Sequence, residues 1–400
     1  MQIQKMPHEF EMARPILRKI EEAGFEAYFV GGSVRDTVLN KKIHDVDIAT
    51  SAYPEEIKGL FQRTVDTGIK HGTVMVLDGS ESYEITTFRT ESGYQDFRRP
   101  DHVTFVRSLS EDLKRRDFTI NALALKEDGT IIDLFNGLSD LEQHLIKAVG
   151  DPEERFNEDA LRMMRAVRFA SQLNFSIEEA TQKAILDHAP LLKKIAVERI
   201  QVEFEKLLMG QQPQLGIQTM LDTNLDQYCP DSISLQESLK QMVQINQLKL
   251  DSIEAAWVMV GWYPNLSNEQ LQKLLKDWKL PNSLIKTVEY TIQLLQMLQD
   301  EMIDQELIFN AGEDNVRLAS QIALLLDISD LDIINQYQML PIKSGKELAV
   351  TGGELIKLKL IQPGPKLGLL LNDLKKVVIH NQVKNTQDDL VEYVKKWKEQ

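Results

Sequence analysis

Cysteine is all but missing from the 400 residues: Cys229 is the one occurrence. That excludes an internal disulfide framework and a four-thiolate metal site, and makes a reducing compartment, the cytoplasm, the natural setting. No apolar run is long enough to cross a bilayer. The opening stretch MQIQKMPHEFEMARPILRKI carries acids and lacks a long apolar core, which argues against a signal peptide. Internal repeats and low-complexity tracts are absent too. A soluble chain of this length, with ordinary apolar content, is expected to form several compact units rather than one core.

Positive charge is also short, with a formal net charge of -15. A simple nucleic-acid coat protein shows the reverse, because neutralising phosphates requires a basic surface. The distribution qualifies this. After Arg199 the next and last arginine is Arg317, whereas Arg35, Arg98, Arg99, Arg107, Arg115, Arg116, Arg155, Arg162, Arg165 and Arg168 crowd the first part of the chain. Arginine is the forked, permanently charged donor suited to phosphates and base edges, so anionic chemistry is expected there. Residues 341–400 hold eleven lysines against seven acids, a locally basic segment suited to tracking phosphates or simply a lysine-rich helix pair.

Between residues 26 and 133 the chain reads as short strands, EAYFV, DVDIA, GTVMVLD, SYEITTF, DHVTFV and TIIDLF, with one helical segment after Gly32. This predicts a compact head of strands and helices. From residue 157 onward apolar residues recur at three- and four-residue spacing, the signature of helices for nearly the whole remainder. NLDQYCPDS (224–232), WYPNLSN (262–268) and LPIKSGKEL (340–348) carry the proline and asparagine signals of interhelical turns.

The chemistry concentrates in FVGGSVRDTVLNKKIHDVDIAT, residues 29–50. Asp45 and Asp47 stand two apart in a run with strand propensity, and side chains two apart in a strand share a face. A strand predicted over residues 83–88 carries Glu84, placed to supply a third oxygen. Such a set, without histidine or cysteine partners, matches a hard cation, with Mg²⁺ held by Asp45 and Asp47. Two such ions can clamp the attacking and leaving oxygens of an in-line displacement at phosphorus. A bare D-x-D is weak, since most are turns or surface acids. The preceding residues add weight: a strand ending at Val30, then Gly31, Gly32 and Ser33, lets backbone N–H groups approach an anion, and Arg35 reaches it from one turn along the next helix. Neither the Walker spacing nor a dinucleotide fingerprint is present. A phosphate cradle followed by metal-binding carboxylates describes nucleotidyl transfer to a hydroxyl with pyrophosphate leaving.

Two further stretches concern the choice of nucleotide: RRDFTINA (115–122) and NEDALRMMRAVRF (157–169). In the second, Asp159, Arg162, Arg165 and Arg168 recur every third residue. On a continuous helix the row drifts by about 60° and climbs about 4.5 Å per step, so the first three share a face and Arg168 turns to the far side from Asp159. Asp159 and Arg162 can be a plain surface ion pair. As a base reader, the carboxylate accepts from an exocyclic amine and the guanidinium donates to the ring nitrogen beside it, which admits cytosine and adenine and rejects guanine and uracil. Arg116 and Arg165 are then left for phosphates, and Asn121 for a sugar or phosphate.

GGSVRD with DVD, EITTFR, YQDFRRPDHVTF, RRDFTINA, DLFNGLSDL with AVGDP, and RFNEDALRMMRAVRF occur in an order that resembles the tRNA nucleotidyltransferases, the CCA-adding enzymes, of the bacterial and eukaryotic class. The resemblance covers roughly residues 20–180, and LAVTGGELIKL and PGPKLG extend it more weakly. It implies an α+β fold: a nucleotidyltransferase head with a mixed sheet over residues 1–148, then a helical neck (149–210), body (211–339) and tail (340–400). It implies stepwise addition of C, C and A to tRNA 3′ ends from CTP and ATP. Asp45 and Asp47 fall on the Mg²⁺ positions and Glu84 on a third catalytic carboxylate. Gly32, Arg35, Arg116, Asp159, Arg162, Arg165 and Arg168 fall on nucleotide-binding positions. Residues 90–101 resemble the flexible loop used for adding the terminal A, and a homodimer is consistent with relatives. The competing readings are an A-adding enzyme or a bacterial poly(A) polymerase of the same superfamily, and, from another class, an RNA chaperone that has lost its chemistry.

Overall fold

The computed structural model describes residues 1–95 and 99–397, and the chain forms two compact units, Met1–Val243 and Gln244–Gln400. In the first unit, α1 (His8–Glu22) precedes β1 (Ala27–Val30), α2 (Gly32–Val38), β2 (Asp47–Thr50), α3 (Pro54–Leu60), β3 (Thr64–Gly68), β4 (Thr73–Asp78) and β5 (Glu81–Thr87). A hairpin, β6 (Arg89–Gln95) and β7 (Arg99–Phe105), then leads to α4 (Leu109–Lys114), β8 (Leu123–Leu125), β9 (Ile131–Asp133) and α5 (Gly137–Glu142). Seven strands pair in the order β3-β4-β5-β2-β1-β8-β9. β2 and β5 run parallel and the other neighbours antiparallel, so the sheet is mixed, as expected.

Burial on both faces explains the central strands. All four residues of β1, AYFV, are buried. Phe29 stacks on Phe10 of α1 with ring centroids 4.5 Å apart. On the opposite face Tyr28, Val30, Ala49 and Ala124 pack with Phe88 and with Leu109 and Leu113 of α4. α1 buries Phe10, Ala13, Ile16, Leu17 and Ile20, one stripe at helical spacing. Removing a side chain such as Ile48 from this core costs about 2–5 kcal/mol.

Three expectations are corrected. β3 and β8 were not legible: β3 is an edge strand of mostly exposed residues without alternation, and β8 is three buried residues too short to show a period. α3 and α4 add two short helices to the one expected after Gly32. DHVTFV contributes to β7, which pairs with β6 in a separate hairpin rather than in the main sheet. Much of residues 90–101, expected as a loop, is therefore paired strand, while 96–98 lie outside the described residues.

After the head come α6 (Pro152–Glu158), α7 (Leu161–Leu173), α8 (Glu179–His188), α9 (Val197–Leu208), α10 (Pro213–Asp222) and α11 (Ser232–Gln244). α7 packs on α9 and α10, with Ser171 Oγ donating to the Leu207 carbonyl at 2.6 Å. Among its described residues the second unit has helices and no strands, with Trp257 and Trp278 fully buried at its core and edge-on to each other. Among the described residues no helix is long and apolar enough to cross a membrane.

Candidate active site

The strand-to-helix turn after β1 is built on glycine for a steric reason. Gly31 has φ 74°, a backbone region that side chains disfavour. A Cβ there would lie 3.2 Å from Arg116 Nη1 and 3.9 Å from Asp47 Oδ2. Backbone, arginine and carboxylate therefore meet at one point. Arg35, buried on α2, donates from Nη1 to Asn121 Oδ1 at 2.7 Å and from Nε to Asp36 Oδ1 at 2.9 Å. Arg116 donates from Nη1 to the Asn121 carbonyl and from Nη2 to Asp112 Oδ2, both at 3.3 Å. Burial alone would raise the Asp112 carboxyl, but the charges of Arg115 and Arg116 outweigh it and hold it below the usual range.

Asp47 opens β2 and is the register neighbour of Val30 on one side and Glu84 on the other. The expectation for Glu84 thus holds at the level of the strands. For Asp45 it is corrected: the strand begins at Asp47, so Asp45 sits in the preceding coil and does not share a strand face with it. The break follows from composition, because KKIHD is charged and has little to bury ahead of the buried IAT run. The Asp47 side chain is open to the cleft, yet the protein around its mouth strips water from it. That desolvation raises the carboxyl above its ordinary range, Arg116 opposes the rise, and Glu84 and Asp45 add to it. Three mutually repelling oxygen donors are the chemistry that a hard dication relieves, so the donor set fits Mg²⁺. Among the described residues no three side chains are already gathered into a metal cluster.

The helix expected from residue 157 is two helices. Asp159 has extended angles, φ -140° and ψ 100°, and its Oδ1 accepts from the Leu161 N–H at 3.0 Å. The short side chain competes with the helix for its own backbone, a common reason for such a break. Arg168 is corrected in consequence. Asp159 does not belong to the helix from which its angle was reckoned. On α7 itself Arg162, Arg165, Arg168, Phe169 and Gln172 occupy one broad face, and all line the same cleft as Asp159.

That cleft, about 540 Å³, also contains Gly31, Gly32, Arg35, Asp47, Arg116 and Asn121. Of the expected site residues only Asp45 and Glu84 lie outside it, and they line a second cleft that also reaches Asp47. Arg162 is tied to Glu158 Oε2 at 2.9 Å and to the Arg115 carbonyl at 3.0 Å rather than to Asp159. Burial raises the Asp159 carboxyl, with Arg162 the principal charge opposing it. Arg168 lies 3.1 Å from Glu203 and 4.1 Å from the Phe169 ring. Burial pushes its guanidinium down to about 10, Glu203 opposing and Arg165 assisting, so it stays charged at neutral pH.

Residues 27–147 match the family described as "Poly A polymerase head domain", residues 174–232 "Probable RNA and SrmB-binding site of polymerase A", and residues 248–394 "tRNA nucleotidyltransferase domain 2". The chain is 56% identical over 391 residues to the CCA-adding enzyme of Pediococcus pentosaceus, covering 98% of this chain and 99% of that one. The chain belongs to the CCA-adding enzyme family. The CCA-adding enzyme of Limosilactobacillus reuteri is 55% identical over 396 residues, covering 98% of each chain. A CCA-adding enzyme from Bacillus stearothermophilus, solved in complex with CTP, superposes with a TM-score of 0.88 at 36% identity and 98% coverage of both chains.

For a member of the CCA-adding family, three residues around the cleft went unassigned from sequence. Asp117 accepts from Arg165 and from Asn121 Nδ2, and thereby ties α7 to the head. Asp112 anchors Arg115 and Arg116. Phe169 has the guanidinium carbons of Arg35, Arg165 and Arg168 within 5.4 Å of its ring centroid. A signal for Asp117 existed: it is the acid directly after two arginines in RRDFTINA, in a site crowded with cations.

Proposed function

We propose that the arginine-lined cleft binds CTP or ATP and that the chain transfers the nucleotide to a tRNA 3′ end, building C, C and A in turn and releasing pyrophosphate. The observation that carries this reading is the convergence of the Gly31 turn, Asp47 and the polar face of α7 on one cleft. Gly32 and Arg35 border the triphosphate, and Arg116, beside Gly31 and Asp47, stabilises charge at the reacting phosphate. Asp159 and Arg162 read the pairing edge of the base, while Arg165 and Arg168 complete the nucleotide site.

Asp45 and Asp47 would hold Mg²⁺, which supplies charge stabilisation at the phosphoryl oxygens and the attacking oxygen when bound. The 3′ oxygen forms a bond to the α-phosphorus as the bond to the bridging oxygen breaks, and the electron pair leaves with pyrophosphate. Glu84, next to Asp47 across the strands, takes the hydroxyl proton.

The boundaries 1–148, 149–210, 211–339 and 340–400 for head, neck, body and tail belong to the same proposal, with body and tail supplying most contacts to tRNA. So do a homodimer and a cytoplasmic location. Incubation of tRNA ending before CC, and separately of tRNA ending in CC, with CTP or ATP alone tests the reading. C should be added to the first and A to the second. Addition of A alone would identify an A-adding enzyme, and long A tracts a poly(A) polymerase. Asp45→Ala with Asp47→Ala should abolish transfer while tRNA binding is kept, and chelation of divalent metal should do the same reversibly.

A further inference from the structure

Each of the seven arginines lining the cleft is already answered by the protein, through ion pairs with Asp36, Glu91, Asp112, Asp117, Glu158 and Glu203. Asp47 and Asp159 line the cleft too. Among the described residues, the carboxylates in and directly behind its wall therefore outnumber the guanidiniums. A triphosphate brings several more negative charges into this setting. The Mg²⁺ proposed at Asp45 and Asp47 would offset them at one end of the cleft. The other end calls for a cation that no carboxylate has already claimed.

Lys41 is placed to be that cation. It follows the end of α2, and its backbone N–H donates to the Asp36 carbonyl at 2.7 Å, which fixes it to the helix that starts at Gly32 and carries Arg35. Its Nζ donates to the main-chain carbonyl of Gln172 at 3.3 Å, and Gln172 lines the cleft beyond Arg168 on α7. Among the described residues no carboxylate forms an ion pair with Lys41, and a neutral carbonyl leaves its charge uncancelled. Partial burial lowers the ammonium from the ordinary lysine range, Asp36 opposing and Arg35 assisting. From Arg162 to Gln172 the helix rises about 15 Å, the order of length of an extended nucleoside triphosphate. With the base read at Arg162 and the reacting phosphate beside Gly31, Asp47 and Arg116, the far phosphate points past Arg35 and Arg168 toward Gln172.

Resting on the function proposed above, we propose that Lys41 binds the terminal phosphate of the incoming CTP or ATP: its ammonium leaves the Gln172 carbonyl and turns across the rim onto the phosphate farthest from the bond that breaks. A lysine suits the task, because its flexible four-carbon stem carries a compact charge with three donors, whereas the planar fork of an arginine must be held in one orientation. The contact is blind to the base and serves C and A addition alike. The phosphate it holds departs with pyrophosphate, so Lys41 anchors the leaving group and takes no part in making the new bond.

The test uses full-length protein with Mg²⁺ and no tRNA, so that nucleotide binds without turnover. Isothermal titration calorimetry of Lys41→Ala should show affinity for CTP and for ATP lowered by about fivefold to tenfold, and affinity for CDP, which lacks the terminal phosphate, within about twofold of wild type. Lys41→Arg, which keeps the charge, should recover most of the loss. In turnover assays KM for CTP should rise by a similar factor in Lys41→Ala while KM for tRNA stays within about twofold. Equal loss for CTP and CDP would reveal a distorted cleft instead of a phosphate contact and overturns the assignment, as does CTP binding that the substitution leaves unchanged. Either result would remove Lys41 alone, since wild-type protein would still bind CTP. Wild-type protein that bound neither CTP nor ATP would remove the proposed function as well.

Discussion

Arg165 of α7 grips Asp117 with two nitrogens on one oxygen, Nε at 2.8 Å and Nη2 at 2.5 Å from Oδ2. The other carboxylate oxygen accepts from Asn121 Nδ2 at 3.1 Å, and Asn121 Oδ1 accepts from Arg35 Nη1 at 2.7 Å. A chain of polar groups, buried except at the partly exposed Arg165, therefore runs from α7 through Asp117 and Asn121 to α2, and all four of its residues line the cleft.

Asp117→Asn should destabilise the first unit by about 3–5 kcal/mol at neutral pH, since it leaves Arg165 without its counter-charge in a mostly buried setting. Burial tends to raise the Asp117 carboxyl, but the Arg165 charge, the bonds from Asn121 and Arg165 and the Arg162 charge together hold it far below the usual range. A depressed folded value stabilises above the unfolded pKa, about 3.9, and that stabilisation fades as pH falls toward the folded value. Urea unfolding at a series of pH values should show the wild-type advantage shrinking below about pH 4. An advantage that grows on acidification would contradict the assignment.

The raised Asp47 carboxyl has the opposite sign. Its folded protein holds the proton to higher pH than the unfolded chain, so Asp47 opposes folding as pH rises through the folded value. Carbon-13 NMR of the Asp47 carboxyl in metal-free protein should give a midpoint above the ordinary aspartate range. Arg116→Ala should move it further up by removing the opposing charge, and Glu84→Gln should move it down.

Base selection should depend on Asp159 and Arg162 separately from triphosphate binding. Asp159→Ala should lower the preference for CTP over UTP, measured as a ratio of kcat/KM, by about tenfold or more, because the amine of cytosine loses its acceptor. Discrimination that is unchanged in this variant would exclude the carboxylate as reader.

Gly31→Ala and Gly59→Ala form a contrasting pair. At Gly31 the left-handed backbone and the 3.2 Å approach to Arg116 predict a loss of about 1–3 kcal/mol and a raised KM for CTP. At Gly59, on α3, nothing lies within 4 Å of the added Cβ, so alanine should be neutral or stabilise by about 0.5–1 kcal/mol. Thermal unfolding and CTP kinetics of the two variants distinguish them.

The chemistry-bearing stretches were legible because their residue types are costly elsewhere: two glycines at a turn, acids beside a buried strand, arginines at three-residue spacing. β3 and the short β8 left no periodic trace, and the hairpin of β6 and β7 was hidden because its pairing is separate from the main sheet. Helical rotation misplaced Arg168 because one backbone bond pattern, at Asp159, resets the count.

By itself the sequence singled out the residues proposed here to bind phosphate, metal and base, and determined that the described part after the head is almost wholly helical. Local spacing and composition carry that much, since they act over a few residues at a time. The tertiary structure alone decided that Asp45 leaves the strand, that Asp117 rather than solvent answers Arg165, and that Asp47 borders two clefts. Those relations join residues tens of positions apart, and they exist only once burial has set which side chains must share one small volume without water.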